Sequence, residues 1–203
     1  MTLNVLVLES ERGAADAAVD ELQAAGHHVL RCHEPGAPAF PCNALIDGAS
    51  CPLRSGIVDV ALTVRKRPRS QPAPQEDGVS CALEAHVPLV VAGSELMNPF
   101  VPFAAAVIDL THDVVGVCEQ AAGAPLPRHG DRAAGALSAV LDVHEVTGLA
   151  PMVDVFRRGG RLYVEVRGAN DLDHGVKSVA SVRIIGALRQ FDRDAAGIDV
   201  VFV

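Results

Sequence analysis

Cys32-His33, Cys42 and Cys51, with Cys81 further on, are the densest reactive cluster in this chain. Thiolates and a neutral imidazole are ligands that zinc takes tetrahedrally, and cysteines alone can hold an iron–sulfur cluster. The steps of ten and nine residues match no common zinc knuckle, and no Cys-x-x-Cys occurs. Three uses therefore stay open: packed and inert thiols, a metal site, or a redox pair such as Cys42 with Cys51. Cys118 falls inside a predicted helix and is expected only to pack.

Other chemistry is thinner. Gly93-Ser94 lacks the Gly-x-Ser-x-Gly elbow that exposes a hydrolase nucleophile. Neither a Gly-x-x-x-x-Gly-Lys phosphate loop nor a Gly-x-Gly-x-x-Gly after the first strand is present. His112 and Asp113 offer a polar pair that surface solvation explains. His144-Glu145 lacks the second His of a zinc-protease motif, and His174 falls in the first turn of its predicted helix.

These side chains must be positioned by an alternation of strands and helices. VLVL (5–8) is an aliphatic run of the kind that fills a parallel strand buried on both faces. A helix is predicted over 12–25, with Gly26 just past its end, and a strand over 27–32. The β-α-β opening points to a doubly wound, mostly parallel α/β sheet. From 34 to 55 four prolines and no sustained period predict a long ordered loop or a shortened helix, and long loops are often functional. Strands over 57–64 and 87–92, a short helix over 78–85 and a longer one over 101–121 complete this domain, 1–121. Pro and Gly cluster in 122–130, the expected linker. Residues 131–203 have another rhythm. They predict a helix to about 146, a hairpin of 152–156 with 161–167 around Gly159-Gly160, a helix from Asp171 or Asp173 to 190, and a strand from 198. That order, α-β-β-α-β, describes a small α+β domain.

On four stretches the first domain resembles the response-regulator receiver (CheY-like) family. VLVLESE (5–11) resembles the strand ending in paired acids that hold magnesium, with Glu9 keeping one carboxylate and Ser10 replacing the other. DVALTVRKRP (59–68) resembles the acceptor strand, with Val64 where the phosphorylated Asp stands. Ser94 lies near the position of the hydroxyl that contacts the phosphoryl group. NPFVPF (98–103) resembles the Lys-Pro-Phe segment that opens the last helix, with Asn98 replacing the Lys. The resemblance implies a receiver/flavodoxin-like sheet whose pocket survives only as Glu9, Ser10, Ser94 and Asn98. One carboxylate makes a poor magnesium site, an aliphatic side chain accepts no phosphoryl group, and Asn98 has no charge to offset a phosphate. The few residues between Ser94 and Asn98 leave no room there for the usual helix and fifth strand. Receiver analogy also implies that Val101, Phe103 and Val107, around the last helix, contact partners. The second domain carries no family signature.

Composition bounds the rest. Nearly half of the 203 residues are apolar, while Trp is absent and Tyr163 stands alone, so the cores must be aliphatic. No apolar run approaches the ~20 residues that span a bilayer. The first residues read as a strand rather than a leader, so a cytoplasmic, non-membrane protein with thiols rather than disulfides is expected. Residues 1–127 hold 7 Lys/Arg against 15 Asp/Glu, which argues against nucleic acid as a partner. The basic run Arg65-Lys66-Arg67 is either a solvated loop or a contact for an anion or acidic partner. The leading expectation is a non-catalytic regulatory or scaffolding protein, with a phosphorylation-incompetent receiver-like domain and a protein-interacting α+β domain. It needs no cofactor, and a homodimer is compatible with it. The alternative is a metal- or redox-binding protein using Cys32, His33, Cys42 and Cys51.

Overall fold

The computed structural model describes residues 2–34, 37–38, 40–46 and 51–203; part of the expected 34–55 loop therefore lies outside the described residues. The chain divides into two units, 1–122 and 123–203. In the first, five parallel strands pair in the order β2-β1-β3-β4-β5. They are β1 (Asn4–Glu9), β2 (His28–Leu30), β3 (Val60–Arg65), β4 (Leu89–Gly93) and β5 (Ala106–Ile108).

Successive side chains of a strand point to opposite faces, and this sheet buries both. Val5, Val7, Val60, Leu62, Val64, Val90 and Ala92 pack with the helices α1 (Asp16–Ala24) and α4 (Val114–Gly123). Leu6, Leu8, Ala61, Leu89 and Val91 pack on the other face with Val79 and Ala82 of α3 (Asp77–Glu84). That two-sided burial is why the strands read as continuous aliphatic runs rather than alternating ones. Helix α2 (Asn43–Ile46) is a single turn within the long loop.

One expected element is overturned. No helix spans 101–121. Val101–Phe103 is a 3₁₀ turn containing Pro102, and β5 follows, paired through Val90↔Ala106 to Ala92↔Ile108. The Ala105 amide donates to the Leu89 carbonyl at 2.7 Å and starts that pairing. Helix α4 begins only where the Asp113 carboxylate accepts from the Gly116 amide at 2.9 Å. Asp109, Thr111, His112 and Asp113 mark where the break falls, but the apolar run 104–108 before them reads equally as helix or strand, so strand pairing, not local pattern, decides it. The fifth strand that the short 94–98 interval seemed to forbid is thus supplied further on.

The expected linker 122–130 is also too long, because α5 (Pro127–Val143) already starts at Pro127, a proline suited to the first turn of a helix. The second unit continues with β6 (Met152–Arg158), β7 (Arg161–Arg167), α6 (His174–Phe191) and β8 (Gly197–Phe202). Its sheet is mixed: β6 and β7 are antiparallel, β7 and β8 parallel. Gly159 and Gly160 both take positive φ, as a two-residue hairpin turn requires. The Asp173 carboxylate caps α6 by accepting from the Gly175 amide at 2.7 Å. Val155, Leu162, Val164 and Val166 face Leu137, Val140, Ile184 and Leu188 of the two helices. Among the described residues, no helix is long and apolar enough to cross a membrane.

Candidate functional site

In a sheet of order 2-1-3-4-5 the crevice at the carboxyl ends of β1 and β3 is where ligands gather. Here Glu9 ends β1 in direct register with Val64 of β3, and Val64 is fully buried. The Ser10 amide donates to the Val64 carbonyl at 3.0 Å and stitches the two ends together. Glu9 is turned back on the chain, its Oε2 accepting from the Ala15 amide at 3.2 Å just before α1. The buried Ser10 hydroxyl is spent on the Glu11 carboxylate, whose other oxygen, Oε1, is buried without a partner among the described residues. Lys66 closes over the edge, its Nζ donating to the Gly13 carbonyl at 2.8 Å. The crevice holds the Glu9 and Glu11 carboxylates, the Ser10 hydroxyl and the hydrocarbon side chain of Val64.

The far side of the edge departs further from the sequence expectation. Gly93 ends β4 at φ +101, and a Cβ there would meet the Arg65 carbonyl oxygen at 1.9 Å, so only glycine fits. Ser94 beyond it donates its amide to that same carbonyl at 2.9 Å. Asn98 lies between β4 and β5 rather than after β5, where the resemblance would have its lysine. Its side chain is used locally: Nδ2 donates to the Ser94 carbonyl at 3.2 Å, and Oδ1 accepts from the Phe100 amide at 3.0 Å. Glu9, Ser10 and Ser94 do share the carboxyl edge of the sheet, whereas Asn98 folds its own loop.

Arg65 is not a surface residue at all. It is fully buried, with Nε 2.7 Å from Glu76 Oε1 and Nη2 2.6 Å from Oε2, a bidentate pair. Its remaining donors reach the carbonyls of Arg69 and Gln71, and its guanidinium stands 5.3 Å from the Phe100 ring centre. The odd-even alternation explains the placement: Arg65 shares the α3 face with Ala61 and Thr63. Only Lys66 and Arg67 of the basic run are exposed. Of the residues expected around the last helix, Phe103 is 62% exposed, while Val101 and Val107 are half-buried against the α3-side core. Phe103 shares the β4–β5 connection with two other exposed apolar side chains, Leu96 and Met97. His112 pairs with Asp109 (Nδ1–Oδ1 2.9 Å) rather than with Asp113, whose carboxylate caps α4.

The cysteines gather from four stretches of chain. Cys32 follows β2, and its carbonyl accepts from the Asn43 amide at 2.9 Å, which draws the stretch around Cys42 to the end of β2. The Cys32 sulfur lies where a Cβ on Gly78 of α3 would be 2.9 Å away, and Cys81 is one turn further along that helix. Cys51 packs with Cys32 against the α3-side core. Burial pushes the Cys32 thiol up to about 12, and Cys51, Cys81 and Cys42 each add to the rise; burial, then Glu84, Cys51 and Cys42, raises Cys81 as well. These thiols are close enough to feel one another's charge. Among the described residues, no three His, Cys, Asp or Glu side chains stand close enough to share a metal ion as placed. Beside them His33 has a buried Nδ1 without a partner among the described residues. A small cleft lined by Glu9, Arg12, Arg31, Cys32, His33 and Glu34 opens at the same edge. Cys118 is buried in α4, on the opposite face of the sheet.

Two constellations were not visible from residue types. In the sequence Glu76 looks like any acidic residue before a helix; only the odd-even phase of Arg65 signals a buried partner. In the second unit Asp192, just past α6, meets Arg157 of β6 and His129 of α5, with His129 Nε2 3.0 Å from its Oδ2, all three buried. The expected linker had taken in His129, which hid the trio. No family model matches the chain, and no curated protein matches its sequence.

Proposed function

We propose that this chain is a non-catalytic regulatory or scaffolding protein. Its first unit is a receiver-like module that takes up no phosphoryl group, and its second is a small α+β module for protein contact. One observation carries the reading: at the crevice between β1 and β3 the register partner of Glu9 is the buried, aliphatic Val64. In-line phosphoryl transfer needs an acceptor oxygen and a metal clamp on the phosphoryl charge. Val64 offers no oxygen, and Glu9 is already bonded to a backbone amide. A module of this kind acts through its surface, and Leu96, Met97 and Phe103, together on the β4–β5 connection, are among the exposed apolar side chains available for it.

The test has two parts. Incubation with acetyl phosphate and magnesium should add no phosphoryl mass to the intact chain; an acyl-phosphate adduct that hydroxylamine removes would overturn the non-catalytic reading. Tagged protein and the Leu96→Asp/Phe103→Asp variant are then compared for self-association and for co-purifying partners. Association that the variant loses supports a contact surface. Monomeric behaviour with identical companions in both removes it.

A further inference from the structure

We infer that the outer groove between α5 and α6 is the docking site for an acidic, amphipathic helix of a partner protein. The inference rests on the reading of the second unit as a protein-contact module, and it names the surface that module uses. The two helices bury Leu137, Val140, Ile184 and Leu188 with their sheet. On their outer side Val143 is 80% exposed, Val182 68% and Val179 43%, and all three line one groove. Helix α6 is therefore apolar on two sides, a pattern that belongs to a helix with neighbours on both. The outward positions Ala136, Ala139 and Val143 of α5, with Val179, Val182 and Gly186 of α6, recur at the three- and four-residue steps that seat the apolar face of another helix. Beyond Ala136 and Ala187 the groove continues to Arg132 and Phe191 at the other end of the pair. From Arg132 to Val143 it runs about 17 Å along α5, room for about three turns of an added helix. A Cβ on Gly186 would meet nothing within 4 Å, so the groove is open there.

Charge selects the occupant. Arg183 lines the middle of the groove and Arg132 its end, and among the described residues Asp131 is the one carboxylate lining it. Arg183 forms no ion pair among the described residues. The helices run antiparallel: Arg132 stands 5.4 Å from the Phe191 ring centre at one end, while Val143 and Val179 share the other. Arg183 is thus level with Ala139, about 10 Å or two turns along from Arg132. Guanidinium groups take carboxylates in a bidentate fork, so the partner helix carries Asp or Glu two turns apart beside its apolar seam. A second copy of this chain fits worse. An isologous interface sets a central residue against itself, and here that residue is Arg183. A basic helix meets the same repulsion.

The experiment sorts a displayed library of helical peptides, each of about 18 residues or five turns, on the biotinylated full chain. Every peptide has leucines along one seam and Glu, Lys or Ser at the flanking positions. Enriched peptides should carry Glu two turns apart. Fluorescence anisotropy should find their affinity reduced ~10-fold or more by Gly186→Leu, which fills the groove. Arg183→Glu should turn the selection toward Lys. Val182→Asp is the second blocking variant should Gly186→Leu disturb the fold, as circular dichroism would report. Absence of any enriched peptide, enrichment without Glu on the parent chain, or affinity that both blocking variants leave unchanged would overturn the site. So would a parent dimer, seen by sedimentation, that both blocking variants dissociate, since a second copy would then be the occupant. Association lost in Leu96→Asp/Phe103→Asp but kept in both groove variants would remove this groove and leave the regulatory reading standing.

Discussion

Glu76 accepts hydrogen bonds from Thr63, from two nitrogens of Arg65 and from the Ala73 amide, with neither charged side chain exposed to water. Desolvating two ions offsets much of their attraction, so the pair is best seen as fixing conformation rather than adding stability. Removing one partner is different, because it strands a charge. Glu76→Ala should lower the unfolding free energy by about 3–5 kcal/mol, read by urea denaturation. Replacing Arg65 and Glu76 together by Met and Leu should recover most of that loss. A single variant as stable as the parent would remove the pair from this role. The thiols are ranked by burial in the same way. Thiolate is the reactive form, and burial pushes both Cys32 and Cys118 up to about 12. Near pH 8 these two should alkylate last and speed up steeply with rising pH, as peptide mass spectrometry would show.

Elements were legible in proportion to how much of their pattern is local. The aliphatic strands β1, β3 and β4, the two-glycine hairpin and the Asp173 cap of α6 follow from rules that act over a few residues, and the sequence displays them. β5 does not: Ala106, Val107 and Ile108 form a strand because β4 offers an unpaired edge, and periodicity alone reads the same residues as helix. The candidate site divides the same way. The cysteines announced themselves by type, whereas the burial of Arg65 depends on which face its strand turns to α3. Asp192 shows what a contact between elements adds. Burial tends to raise its carboxyl, but the His129 hydrogen bond and the Arg157 charge outweigh that and hold it below its ordinary value. A depressed folded-state value stabilises the fold above the unfolded carboxyl's ~3.9, and the gain is lost as pH falls through the folded value. The unfolding free energy should therefore drop on acidification below about pH 4. In Asp192→Asn it should start lower at neutral pH and show a shallower acid limb; an unchanged limb would exclude this carboxylate.

At the scale of the whole chain, each unit has its own core. Leu126 already belongs to the second, where its amide donates to the Val155 carbonyl at 2.7 Å. A fragment beginning at Ala124 should therefore fold alone, with a cooperative melt and the circular dichroism of a mixed helix–sheet domain. A fragment lacking cooperative unfolding would show that the units depend on each other. The two sheets also end differently. The outer strands of the first, β2 and β5, are three residues each, too short to template another chain. The outer strands of the second, β6 and β8, run seven and six residues. Along β8 the run Ile198-Asp-Val-Val-Phe-Val carries one charge and no proline, and it leaves Val201 half exposed. Crowding should therefore act first there: at high concentration, foreign backbone will add to β8 as a further strand. A lysine at Val201 should raise the concentration at which the protein begins to scatter light.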